Sequence, residues 1–199
     1  MIRLFYRSFA LVALLLVVVS PTALAQPQAL TATAESSVTV LGDSTLHKWT
    51  AKATQLQISA VAVPGRDGLW VAVQSGRLRA LSLLAPVAGL KSNEGGKMDK
   101  NMRAALEAEK FSETRFVMAG YEIKEGELLA RGALTIHGVS KDVELKGKVT
   151  GDAESVELKG SYDLLMSAYG IKPPVMMLGT LRVADKVSIA YDFTLRMKP

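Results

Sequence analysis

The chain reads as an all-β protein, an antiparallel sandwich or up-and-down barrel of about eight strands. Three observations predict this. Short strand-like runs follow one another with Gly-containing turns between them. The clearest run, Val187–Met197, alternates Val187, Ile189, Tyr191, Phe193 and Leu195 with Ser188, Ala190, Asp192, Thr194 and Arg196, a period of two. Turn chemistry recurs between the runs: Pro64-Gly65-Arg66-Asp67-Gly68, Lys124-Glu125-Gly126 and Gly151-Asp152.

The N-terminus is patterned differently. Arg3 and Arg7 precede an apolar run from Phe9 to Val19; Ser20-Pro21-Thr22 breaks it, and Ala23-Leu24-Ala25 has the small-x-small form of a signal-peptidase site. A helix over that run would rise about 17 Å, short of a bilayer core of about 30 Å. Residues 1–25 therefore read as a cleaved signal peptide, not as a stable membrane anchor, and predict export. Residues 26–36 are small and polar and read as a disordered lead-in. Residues 37–199 read as one domain, with no linker long enough to divide it.

Within that domain the expected strands are Val38–Leu41, Thr45–Ile58, Leu69–Leu83, Arg115–Ile123, Glu127–His137, Val143–Thr150, Ser155–Leu165 and Val187–Met197. In Glu127–His137, Leu128, Ala130, Leu134 and Ile136 share one face, broken only by Gly132. One segment departs from the β pattern. Lys97 to Glu109 carries Met98, Met102, Ala105 and Leu106 at helical spacing, with Asp99 four residues before Arg103, an order that favours an ion pair. It predicts one short helix beside the sheet, either packing the core or closing one end as a lid. Tyr169-Gly170-Ile171-Lys172-Pro173-Pro174 must be a loop, because two prolines remove two backbone donors. Lys172 reads first as a solvated loop lysine; the alternative, with Arg182 nearby, is a contact for an anionic head group.

Composition narrows the chemistry. The chain has 24 Lys plus Arg against 19 Asp plus Glu, a net charge of +5, and two of the cations lie in the signal. The remaining excess is weak for nucleic-acid binding, which needs a concentrated basic face. With no Cys, disulfides, zinc fingers, iron–sulfur clusters, cysteine catalysis and a lipidated N-terminal Cys are excluded. The chain has no Gly-x-Ser-x-Gly elbow, P-loop, dinucleotide fingerprint or His-Glu-x-x-His, so no catalytic residues and no metal ligands are assigned and no cofactor is expected. The two histidines, His47 and His137, each follow Thr and an aliphatic residue. If their strands were neighbours they could hold a metal with Asp142 or Glu144, or act as acid and base. The alternative for His137, just before Gly138, is a structural hydrogen bond.

The order Ser44-Thr45-Leu46-His47-Lys48-Trp49, Leu90-Lys91-Ser92, Met98-Asp99-Lys100-Asn101-Met102, Leu106, Lys110-Phe111 and Phe116 resembles the YceI-like family. So do Gly132-x-Leu134-Thr135-Ile136-His137-Gly138-Val139-x-Lys141 and Tyr169-Gly170-Ile171-Lys172-Pro173-Pro174. The likeness spans roughly Ser36 to Leu195. One departure is visible: where the family usually has Pro-Glu-Ile after the Lys-Phe pair, this chain has Ser112-Glu113-Thr114, which is expected to loosen the helix-to-strand turn without touching the pocket. The resemblance implies a lipocalin-like, extended antiparallel β-barrel with a helix beside it. It further implies a periplasmic, non-enzymatic binding protein that encloses a long apolar lipid such as a polyisoprenoid or an isoprenoid quinone. Alternation and loop position then predict the ligand-binding lining: Trp49, Phe116, Met118, Leu134, Ile136, Met166, Tyr169, Met176, Met177 and Ile189. Two rival expectations remain open: a metal- or His-dependent periplasmic enzyme, and a filled barrel acting as a ligand-free envelope-stress interaction module. A homodimer is compatible with all three.

Overall fold

In a computed structural model, residues 26–198 are described. The signal-peptide expectation for residues 1–25 lies outside them. The described chain forms twelve strands in one sheet: β1 (Gln28–Ala32), β2 (Ser37–Ser44), β3 (Trp49–Ala53), β4 (Gln57–Ala62), β5 (Leu78–Pro86), β6 (Leu90–Ser92), β7 (Glu113–Lys124), β8 (Glu127–Ile136), β9 (Val139–Gly151), β10 (Ser155–Leu165), β11 (Val175–Met176) and β12 (Leu181–Met197). Two helices accompany them, α1 (Gly68–Gln74) and α2 (Gly96–Ala105).

The strands β1-β4-β5-β7-β8-β9-β10-β12 form an antiparallel ring, closed where β12 returns to β1 with Leu30 opposite Met197 and Ala32 opposite Leu195. This is a barrel, so the sandwich alternative falls away. Closure leaves no free edge on the ring. β12 is longer than this closure needs. Its C-terminal end pairs with β1, and its preceding stretch pairs with β2 from Val183 opposite Ser44 to Asp192 opposite Ser37. The wall therefore forks. At one end the ring is closed by β1, here called the floor. At the other end β2-β3-β6 splays outward and widens the mouth.

Tight hairpins set the register. The β7–β8 and β8–β9 connections are Glu125-Gly126 and His137-Gly138, each with both residues at positive φ (54° and 81°, 52° and 73°), as two-residue hairpin turns require. The expected alternation of β8 holds: Leu128, Ala130, Leu134 and Ile136 are buried and face inward. So do Val187, Tyr191, Phe193 and Leu195 on β12.

Four sequence expectations are corrected. Gln26–Ser36 is not a disordered lead-in, because it contains β1, whose backbone supplies the pairing that closes the ring; Leu30 is buried at its centre. Thr45–Ile58 is not one strand but a turn, β3, a second turn and β4. Leu69–Leu83 is not one strand either: its first third is α1. Leu69, Ala72 and Val73 fall at i, i+3 and i+4 and are all buried, so a helix, not a strand, puts this apolar set on one face. The helix N-terminus has no side-chain cap. Its orphan donors are satisfied instead by the β9–β10 turn, with Leu69 N–H donating to Ala153 O at 2.8 Å and Trp70 N–H to Asp152 O at 3.1 Å. Gly68 makes this approach feasible; its φ is 84°, and a Cβ there would stand 2.6 Å from Ala153 Cα. Tyr121 pins the other end, its hydroxyl donating to Val73 O at 2.6 Å and accepting from Leu78 N–H at 3.1 Å. There are thus two helices where one was expected, and α1 plugs the floor. Finally, Asp99 does not use Arg103 as its ion-pair partner but turns to β6.

Candidate functional site: an apolar lumen

Two cavities lie inside the barrel. The mouth cavity encloses about 1000 Å³ between atoms, part of it open to solvent. Its walls come from β2 (Val38, Val40), β3 (Trp49, Ala53) and β12 (Val183, Val187, Ile189). Its roof comes from α2 (Met98, Asn101, Met102) and the loop before β12 (Met166, Ile171, Pro174, Met176). The inner cavity encloses about 830 Å³ and is lined by Ile58, Leu81, Leu83, Phe116, Leu128, Leu134, Leu158 and Phe193, among others. The two share Val38, Ala85, Thr114 and Ile189, which form a waist between them. Neither has a charged side chain in its lining.

The roof is held by a polar clamp. Asp99, buried, accepts from Ser92 N–H at 2.7 Å and from Ser92 Oγ–H at 2.8 Å, and its other oxygen lies 3.7 Å from Lys91 Nζ. The Ser92 bonds, backbone first, hold the Asp99 carboxyl below its ordinary pKa. This fastens the first turn of α2 to β6, leaving Met98 and Met102 over the cavity. The Met face of α2 is thus both packing and roof. One turn along, Asn101 Nδ2–H donates to Met176 Sδ at 3.3 Å and joins α2 to the loop.

Trp49 lines the mouth cavity beside Ala53 of the same strand. It is 7% exposed, and its indole Nε1–H is buried with no hydrogen-bond partner among the described residues. Gly42, opposite it on β2, sets its position: a Cβ there would fall 2.1 Å from a carbon of the indole ring, so only glycine lets the ring lie flat on the neighbouring strand. An orphan donor of this kind costs about 1–3 kcal/mol until something accepts from it.

Of the ten residues expected in the lining, Trp49, Ile136, Met166, Met176 and Ile189 line the mouth cavity, and Phe116, Leu134 and Ile189 the inner one. Met118 is half-buried against both core clusters but reaches neither cavity. Tyr169 is buried beneath the loop, where it forms part of an outer groove with Lys141. Burial pushes its phenol up to about 12, with the adjacent Tyr162 adding to the shift. Met177 is a correction: it is 66% exposed, because its backbone turns through φ 51° and carries the side chain away from the mouth. Thr114 is a second correction. The Ser112-Glu113-Thr114 departure does touch the lumen, since Thr114 sits at the waist of both cavities. Sequence reasoning passed over it, and over Ala85 beside it, because a small residue on a strand carries no pocket signal.

The histidines have separate partners. His47 is exposed, with Nδ1 at 3.1 Å from Lys48 O and Nε2 3.9 Å from Glu94. His137 is largely buried; its Nδ1–H donates to Tyr169 O at 3.2 Å, its Nε2 lies 3.2 Å from Glu107, and its ring tilts on Phe111 at 4.4 Å between centroids. His137 thus ties the β8–β9 turn to the loop before β12 and to the end of α2, the structural role weighed for it. Among the described residues, no group of three or more His, Asp or Glu is placed to hold a metal ion, and no helix is long and apolar enough to cross a membrane.

The fold has solved counterparts. The chain is similar to Burkholderia cenocepacia BcnA, with 16% identity and a TM-score of 0.64 over 81% of this chain and 96% of that one. It is also similar to a polyisoprenoid binding domain from Saccharophagus degradans implicated in plant cell wall breakdown, with 16% identity and a TM-score of 0.61 over 85% and 98%. A Campylobacter jejuni YCEI protein gives 18% identity and 0.55 over 72% and 82%. Comparison with curated protein sequences gives no match. The model of the YceI-like domain matches residues 31–195, from within β1 almost to the end of β12, and the chain belongs to the YceI-like family.

Proposed function

We propose that this protein is an exported, periplasmic lipid-binding protein, not an enzyme, whose barrel encloses a long apolar chain such as a polyisoprenoid or an isoprenoid quinone. The observation that carries this reading is the lumen: two adjacent cavities that share four lining residues, with no charged residue in either lining. An uncharged lumen favours a ligand bound by burial. At about 0.8 kcal/mol per methylene, ten buried methylenes supply about 8 kcal/mol before the costs of association, and a longer chain proportionally more. The orphan Trp49 N–H favours a ligand with an acceptor near its head, as a quinone carbonyl or a prenyl hydroxyl has. The remaining ligand-binding residues of the proposal are Phe116, Leu134, Ile136, Met166, Met176 and Ile189. The polyisoprenoid binding domain among the structural neighbours supports the ligand class, and the patterned N-terminus, Arg3 to Ala25, supports export. The interaction-module reading required a filled barrel and loses ground to the open lumen.

Native mass spectrometry of the protein purified from its own cell envelope tests this. The expected result is a discrete adduct whose extracted mass is that of a prenyl lipid. Protein that carries nothing, and that ignores added polyprenols and quinones, would overturn the reading.

A further inference from the structure

The mouth of the barrel carries an exposed feature that lumen binding does not use. Two segments meet there. Thr45, in the β2–β3 turn, donates its hydroxyl to Thr180 O at 2.8 Å, donates its N–H to Arg182 O at 3.0 Å and accepts from Arg182 N–H at 3.1 Å. This fuses the β2–β3 turn to the β11–β12 turn in one rigid tip, stiffened further by Pro173-Pro174. The tip holds large apolar side chains out in solvent: Leu46 is 61% exposed, Val175 61%, Met177 66% and Leu178 fully exposed. These are four of the eight large hydrophobics with high exposure in the described chain, gathered at one point. The backbone is strained to do this. Met177 and Leu178 are consecutive non-glycine residues at φ 51° and 54°, a conformation bulky side chains rarely adopt and one that costs energy at each position. The strain does not improve the core, since both side chains point away from it.

The charge around these side chains indicates what they meet. Lys48 lies in the β2–β3 turn, Lys172 in the loop that leads into β11 and Arg182 at the start of β12; among the described residues none has a carboxylate partner. Two acids lie nearby. Asp43 accepts from Ser44 N–H, and Glu94 faces His47. Apolar side chains on a strained, rigid tip, with cations set among them, match a surface that is apolar below and anionic above. We propose that this tip is a membrane-docking element that inserts Leu46, Met177 and Leu178 among the acyl chains of an anionic lipid bilayer while Lys48, Lys172 and Arg182 meet its head groups. Docked this way, the mouth cavity faces the bilayer, because Pro174 and Met176 of the same loop line it. The docking itself does not depend on what the lumen holds.

The absence of Cys from the chain makes a direct test available. Leu178→Cys, or Met177→Cys as a second reporter, is labelled with an environment-sensitive fluorophore on delipidated protein. The probe is a vesicle of phosphatidylglycerol and phosphatidylethanolamine, with phosphatidylcholine vesicles for comparison. Lys124→Cys, at the floor end, is the control. The expected result is a blue shift at the tip with the anionic vesicles, a much weaker one with phosphatidylcholine, and none at Lys124→Cys. Lys172→Gln and Arg182→Gln should each raise the lipid concentration at half-binding by about fivefold, and added salt should weaken binding further. An unshifted tip overturns the proposal. So does a shift of equal size at Lys124→Cys, which would mean non-specific adsorption, or one that grows with protein concentration without vesicles, which would mean that the tip meets a second copy. The vesicles contain no prenyl lipid, so none of these outcomes bears on the lumen.

Discussion

Ala85 offers the sharpest test of the lumen. It is buried on β5, opposite Thr114 of β7, and belongs to the waist shared by both cavities. Ala85→Phe places a phenyl ring where the two cavities meet. The ring has open space to occupy, so thermal stability should hold or rise; only a tightly packed site would show the usual overpacking loss of about 1–3 kcal/mol. A chain that spans the waist would lose the inner cavity. If only four methylenes lose their burial, the cost is about 3 kcal/mol, or on the order of a hundredfold in Kd. A short prenol fits within the mouth cavity and should be nearly unaffected. The assay is a titration of wild type and Ala85→Phe with farnesol and with a long polyprenol, followed by Trp fluorescence. The reasoning is refuted if the variant binds the long chain as tightly as wild type does. It is refuted equally if both ligands weaken together, since that would place the chain somewhere other than across the waist.

Three further outcomes are expected. Trp49→Phe removes the orphan N–H; it should leave the melting temperature close to wild type while weakening lipids with a carbonyl or hydroxyl head by about fivefold and leaving a plain hydrocarbon unchanged, as calorimetric titration would read. Asp99→Asn should loosen the α2 roof, and its effect should depend on pH. The folded-state pKa of Asp99 is lowered, so the stability it contributes is present above its unfolded value near 4 and is lost as pH falls through the folded value; melting curves of wild type and variant should converge in acid and separate near neutrality. Tyr121→Phe deprives Val73 O and Leu78 N–H of one partner at the floor, and chemical denaturation should find a loss of about 1–3 kcal/mol with little change in ligand affinity.

The legible parts of the fold were those where one face is buried and the other wet. On β8, and on β12 from Tyr191 to Leu195, burial alternates residue by residue, so period-two patterning in the sequence maps directly onto the barrel wall. α2 was legible for the same reason, as a one-sided helix over the mouth. α1 was not, because Leu69-Trp70-Val71-Ala72-Val73 is apolar all along and rich in strand formers. Only the floor contacts select the helix, although the i, i+3, i+4 spacing of Leu69, Ala72 and Val73 was there to be weighed. β1 was hidden by its small polar composition; it is held by backbone pairing to residues at the far end of the chain. In the lining, Phe116, Leu134, Ile136 and Ile189 on strands reach the cavities, whereas Met118 on β7 reaches neither. Met177 was misplaced because a positive φ reverses its direction, and Ala85 and Thr114 were missed because a waist is made by what small residues leave open.

The fork in β12 has a consequence for how the molecule folds. This strand supplies partners to β10, β1, β2 and β11. Until it docks, β10 and β1 both present open edges, and the mouth strands β2-β3-β6 have no anchor on the ring. The Leu30–Met197 pairing closes a loop of roughly 170 residues, for which the length-dependent entropy alone is about 4.5 kcal/mol. Such a step comes late. The hairpins from β7 to β10 join residues close in sequence and can form first, as a curved sheet waiting for its last strand. Barrel closure, mouth assembly and protection of the exposed edges then arrive together in one event, and the interval before it is when the chain is most open to aggregation.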